Sequence, residues 1–230
     1  MSLSGILNSH LIMAYLVTLN GTQDQKERFL PLMAKGEKRG GVCITEPNAG
    51  SDVQAIETKA VKEGDRYFIS GTKNMVTNGR HGNTFAVVVK TDPHREPAYR
   101  GISLFIAEKG PGLVVARDLV KLGYKGVDTS ELVFDRYSIS EENLLGVEEG
   151  RGFYHIMNGL EVGRINVAAR AVGVARMALE QAVKYAQHRE TFGKPIAQHQ
   201  AIQIKLANMA TQIQAAHLIV MDAAKRKDQG

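Results

Sequence analysis

Ten residues from Ile44 to Val53, "ITEPNAGSDV", bring a hydroxyl, a carboxylate, a proline and a glycine-flanked turn close together. In the turn Asn48-Ala49-Gly50-Ser51, successive backbone N–H groups can point into one concavity, a nest that suits phosphate or pyrophosphate. Gly50 permits close approach of the backbone, and Ser51 adds a hydroxyl donor. Thr45 is placed to bond a polar ring edge further in. On spacing alone, an ordinary turn leading into an exposed loop is the plainer reading. The stretch is neither a P-loop, since no Gly-Lys-Ser/Thr follows, nor a dinucleotide glycine fingerprint. No histidine or carboxylate spacing suggests a metal site. Cys43, just before the loop, reads as a buried small apolar residue.

The elements that must position these residues follow from periodicity. From Ile6 to Ala34 the apolar spacing is helical, interrupted at Asn20-Gly21, and Thr22 is placed to cap a second helix. From Gly41 to about Ser140, "DRYFISG", "TFAVVVKT", "GISLFIAEKG", "GLVVARDL" and "SELVFDRYSI" are short β-rich runs separated by turns such as "EGD" and "GPG". Strands this short and regular favour a compact antiparallel barrel or sandwich. After Gly152, Ala168, Ala171, Val172, Ala175, Leu179, Ala182, Val183 and Ala186 recur at three- and four-residue steps, the stripe of one long amphipathic helix. Gly193 and Pro195 turn the chain into a second helix with its stripe at Ile202, Leu206, Met209, Ile213, Ala216 and Val220. The fold class is therefore α+β, an antiparallel β-barrel or sandwich followed by long antiparallel helices of an incomplete bundle. Residues 1–40 are expected to be closing helices of a helical domain, 41–150 the β domain, and 151–230 the bundle helices.

The 230 residues are 43% hydrophobic, enough for real cores, and no run of eighteen apolar residues is present. The start lacks the basic leader and cleavage site of a secretory signal, and the single cysteine agrees with a reducing compartment. The expectation is a cytosolic protein, or one of the mitochondrial matrix in a eukaryote, without membrane attachment. Net charge is +5, but Lys and Arg are scattered and tryptophan is absent, which argues against nucleic acid.

Three segments in order, "CITEPNAGSD", "ISGTKNMVTNG" and "GRINVAARAVGVARMALEQAVKYAQHRETFGKPIAQHQAIQ", resemble the acyl-CoA dehydrogenase family over nearly the whole chain. The resemblance implies an FAD enzyme with an N-terminal helical domain, a middle β domain and a C-terminal four-helix bundle. It implies that Val42, Cys43, Ile44, Thr45, Gly50 and Ser51 line the flavin, with Thr45 at the ring edge, Gly50 and Ser51 at the pyrophosphate, and Ser51 also facing the pantetheine arm of the substrate. Met75, Val76 and Thr77 would follow, with the Thr77 hydroxyl beside flavin N5, where a donor stabilises developing charge. Many members carry tryptophan at the Met75 position; a thioether keeps the contact with less stacking area.

By the same resemblance Arg189, Thr191, Phe192, His199 and Gln200 reach the FAD of a neighbouring subunit, so the cofactor needs a homodimer or homotetramer. The planar fork of an arginine suits a pyrophosphate. Helix-end residues capping a turn would explain Gly193 but not the whole set, although His199 taken alone reads as a surface histidine. Glu161 and Arg164, three apart on one helical face, would lie near bound substrate, or else form a solvated pair. The family reaction removes an α-proton with a glutamate while the β-hydrogen leaves as hydride to the flavin. Most members carry that glutamate on a late loop, expected here beyond Gly230. A minority carry it one residue before the arginine, which is Gly163 in this chain. This points to the short-chain or branched-chain members, with an electron-transferring flavoprotein as electron acceptor. An acyl-CoA oxidase of the same fold, and a binding or oligomerisation module without the base, are the alternatives.

Overall fold

The Thr22 hydroxyl accepts a hydrogen bond from Gln25 N at 3.2 Å, while Gln25 Oε1 accepts one from Thr22 N at 3.1 Å. This capping box starts a helix where the sequence placed one. It separates α1 (Ser2–Asn20) from α2 (Gln23–Ala34) in a computed structural model that describes residues 2–229. The chain divides into two compact units, Met1–Glu161 and Val162–Gly230.

In the first unit, β1 (Gly40–Cys43), β2 (Lys59–Glu63), β3 (Arg66–Thr77), β4 (Thr84–Lys90), β5 (Ile102–Glu108), β6 (Leu113–Asp118) and β7 (Thr129–Ser140) form one curled sheet, a half-barrel. Its order is β1-β4-β2-β3-β7-β6, with β5 on the other side of β4. The antiparallel expectation holds for β2–β3, β3–β7, β6–β7 and β4–β5, whereas β1 and β2 both run parallel to β4 and make the sheet mixed.

Strands β4 and β5 read as continuous apolar runs because both their faces are covered. Ala86, Val88, Ile102, Leu104 and Ile106 pack with Met13, Leu16 and Phe29 of the helices and Ile156 of the next helix. Phe85, Val87, Val89, Phe105 and Ala107 point the other way, into the half-barrel, against Ile69, Val76, Leu132 and Phe134. Helix α1 is long and apolar enough to cross a membrane by length and composition, yet Ile12, Met13, Leu16 and Val17 are buried in this core.

α3 (Gly152–His188) begins in the first unit and runs into the second. There a two-residue hairpin, β8 (Glu190–Thr191) and β9 (Lys194–Pro195), leads to α4 (Gln200–Gln229). The two long helices and the reversal at "TFGKP" are as the periodicity predicts.

Candidate functional site

Strand β1 delivers the chain to the loop that the sequence singled out. Alternation along it turns Val42 and Ile44 toward the helical core and Cys43 into the half-barrel, where Cys43 is fully buried. Burial pushes the Cys43 thiol up to about 12, against the pull of the nearby Lys73 ammonium. The Cys43 side chain therefore faces no ligand, and only its backbone is available to one.

The loop then tightens. Glu46 N donates to Ala49 O at 2.8 Å and Ala49 N returns a bond to Glu46 O at 3.3 Å, leaving Pro47 and Asn48 at the tip. Ala49 and Val53 are buried in the helical core, while Gly50, Ser51 and Asp52 between them are exposed. The N–H groups of Gly50 and Ser51 make no hydrogen bond to the described residues. A Cβ built on Gly50 would meet nothing within 4 Å, so the backbone of the turn is open on that side. Backbone donors of a turn with no partner among the described residues fit the pyrophosphate of a dinucleotide cofactor.

Beside the loop lies the end of β3, and a bulge shapes it. Lys73 pairs with Leu132 and Val76 with Ser130, three residues against two, so one extra residue sits at Asn74–Met75. Met75 takes a left-handed φ of 59° and is 62% exposed, which excludes a core-filling role. Val76 is fully buried in the half-barrel, and Thr77 is half-buried. Released from β7, Asn74 N instead donates to Thr45 O at 2.7 Å. Gly41 touches the same strand: a Cβ there would lie 2.7 Å from Thr77 O, so only glycine permits the approach. The structure thus brings Val42–Ser51 and Met75–Thr77 together, with Thr45, Gly50, Ser51, Met75 and Thr77 offering exposed or half-exposed side chains or backbone.

What joins the two segments is an ion pair to which the sequence reading assigned no role. Lys73 Nζ lies 2.6 Å from Glu46 Oε1 and donates to Ile44 O at 3.1 Å, with the Lys73 side chain fully buried and that of Glu46 5% exposed. Glu46 also accepts from Glu57 N at 2.6 Å and Thr58 N at 3.1 Å. Burial raises the Glu46 carboxyl, but the Lys73 charge and these hydrogen bonds outweigh it and hold the group below its usual range. Burial draws the Lys73 ammonium downward, and Glu46 opposes that. The one signal in the sequence is a lysine inside an otherwise β-patterned run.

The remaining candidates lie on α3 and beyond it. Glu161 and Arg164 are both exposed on α3. In the second unit, Phe192 and Gly193 form the hairpin loop with φ of 53° and 73°, the geometry of a type I′ turn. His199 Nε2 lies 3.1 Å from Thr191 Oγ1 and its ring meets Phe192 edge-on at 6.1 Å. Phe192 is 96% exposed, and Arg189 and Gln200 are exposed too. Thr191, Phe192 and His199 thus form one local cluster, with Arg189 at the mouth of the hairpin, where its carbonyl accepts from Ile196 N at 2.8 Å. No group of three or more His, Cys, Asp or Glu able to hold a metal occurs among the described residues.

Comparison with known proteins follows the same segments. Residues 41–137 match the acyl-CoA dehydrogenase middle domain, and residues 150–230 match the acyl-CoA dehydrogenase C-terminal domain. An acyl-CoA dehydrogenase of Bacillus subtilis (strain 168) is 43% identical over 211 residues, 91% of this chain and 55% of that one. Butyryl-CoA dehydrogenase from Megasphaera elsdenii superposes with a TM-score of 0.92 at 39% identity, covering 98% of this chain and 60% of that one. The structure of PigA with FAD and proline gives a TM-score of 0.94 at 28% identity, over 100% of this chain and 60% of that one. The chain spans about half to three fifths of the length of these relatives.

Proposed function

The chain belongs to the acyl-CoA dehydrogenase family, and from that premise we propose that the full-length protein carries out FAD-dependent α,β-dehydrogenation of acyl-CoA thioesters. The observation that carries this reading is the meeting of two segments, with the open N–H donors of Gly50 and Ser51 on one and the Thr77 hydroxyl on the other, tied by the 2.7 Å bond from Asn74 N to Thr45 O. FAD, when bound, supplies the acceptor for the hydride that leaves the β-carbon.

The residues of this chain do the rest of the holding. Gly50 and Ser51 donate to the pyrophosphate, Thr45 bonds the ring edge, and Val42, Ile44 and Met75 supply apolar contact, with Cys43 and Val76 contributing backbone alone. Thr77 donates its hydroxyl beside the ring nitrogen where charge develops, the place where a fixed donor is worth most. Ser51, Glu161 and Arg164 meet the acyl-CoA. Arg189, Thr191, Phe192, His199 and Gln200 serve the flavin of a neighbouring subunit in a homo-oligomer, and an electron-transferring flavoprotein takes the electrons onward. By the family resemblance we assign the α-proton to a carboxylate on a late loop outside residues 1–230, the alternative helix position being Gly163, which has no side chain.

Replacing Thr77 with valine tests the assignment. The hydroxyl is one of several ground-state contacts, but it faces developing charge, so Thr77→Val should slow flavin reduction in the full-length enzyme by roughly 10–100-fold while FAD affinity changes little. Rapid-mixing reduction rates equal to wild type would refute the placement of Thr77. Oxygen consumption during turnover would instead favour an oxidase of the same fold.

A further inference from the structure

We propose that the buried Lys73–Glu46 ion pair is a positioning device for the cofactor. It fixes the Ile44–Ser51 loop against the β3 bulge, so that the loop donors and the Thr77 hydroxyl keep the spacing that one flavin requires. This inference rests on the flavin reading above. Its geometry has two parts. Lys73 Nζ takes the carbonyl of Ile44, and Asn74 N takes the carbonyl of Thr45, so the peptide planes on both sides of Thr45 are held from the strand. Glu46 then joins the beginning of the loop to its end, through Glu57 N at 2.6 Å and Thr58 N at 3.1 Å, and closes a neck below exposed Gly50 and Ser51. Lys73 pins that neck to β3 at 2.6 Å.

Stability alone does not call for such an arrangement. Two charges taken from water lose much of what their attraction returns, and well-packed apolar residues of similar volume often serve a core as well or better. An ion pair differs in being directional: it fixes one loop-to-strand register where an apolar contact tolerates several. The bulge between Lys73 and Val76 agrees with this, since it turns Lys73 and Val76 both inward and leaves Thr77, the next residue, half-exposed beside Gly41.

The test compares full-length wild type with Lys73→Met and with the neutral double variant Glu46→Gln/Lys73→Met, in which the amide oxygen of the new side chain still accepts the two loop N–H groups. A second neutral pair, Glu46→Gln/Lys73→Gln, retains a hydrogen bond between the positions and supplies a folded background should the first fail to fold. Apoprotein melting temperature, FAD dissociation constant and the effect of Thr77→Val on flavin reduction are read in each. The neutral pairs should recover most of the melting temperature lost in Lys73→Met, yet bind FAD roughly tenfold or more weakly, and Thr77→Val should slow reduction less in them than in wild type. Folded neutral pairs with wild-type FAD affinity and an undiminished Thr77→Val effect would overturn the proposal. Wild-type protein that binds no FAD at all would instead overturn the flavin reading, and this inference with it.

Discussion

Glu46 is charged at neutral pH in a place with almost no water, so the stability of the first unit is tied to its ionisation. Its folded-state carboxyl sits below the ordinary value of 4.5, so the group contributes stability above that value and loses it as pH falls through the lower, folded-state value. Wild type should therefore lose melting temperature more steeply than Glu46→Gln as pH drops below about 4.5. At neutral pH the same substitution leaves Lys73 buried without a counter-charge, which should cost about 3–5 kcal/mol. Thermal unfolding of both proteins across that pH range measures both effects. Parallel pH profiles would show that Glu46 titrates alike in the folded and unfolded chain.

The hairpin of β8 and β9 carries its own strain. A type I′ loop wants Asn-Gly or Asp-Gly, but this one has Phe192 at a φ of 53°, a conformation costly for a bulky side chain, with the ring 96% exposed. Strain held for an exposed aromatic agrees with a contact made outside this chain. Phe192→Asn should raise the melting temperature slightly, through relief of about 1 kcal/mol, while weakening FAD binding. A lower melting temperature would mean that the ring supports its own subunit. At this scale much was legible in the sequence: the Thr22 cap, the long helices with their reversal, and the apolar runs of β4, β5 and β7. β1 was hidden by its two glycines. β2 was hidden because "KAVKE" buries only Ala60. β3 was read only as far as Gly71, because the bulge at Asn74–Met75 breaks the period of two that marks a strand. The same break concealed the partnership of Lys73 with Glu46, 27 residues away, since no local pattern marks a contact across a sheet.

The flavin site proposed for the assembled protein is shared between subunits. If Arg189 serves a flavin held by another subunit, Arg189→Ala should stay oligomeric but bind FAD roughly thirtyfold more weakly or worse. Mixing full-length Arg189→Ala subunits with full-length subunits damaged at Gly50-Ser51 should then restore one intact site of the two in a mixed dimer. Mixed dimers that form yet recover no flavin would place Arg189 in its own subunit's site. Anaerobic titration of the full-length holoprotein with short- and branched-chain acyl-CoA thioesters tests whether the loop at Ile44–Ser51 and the strand end at Met75–Thr77 hold a flavin poised to oxidise an acyl-CoA. The yellow flavin absorbance should bleach in proportion to added substrate as the enoyl-CoA forms. Protein that purifies without flavin, or whose bound flavin is bleached by none of these thioesters, would contradict it.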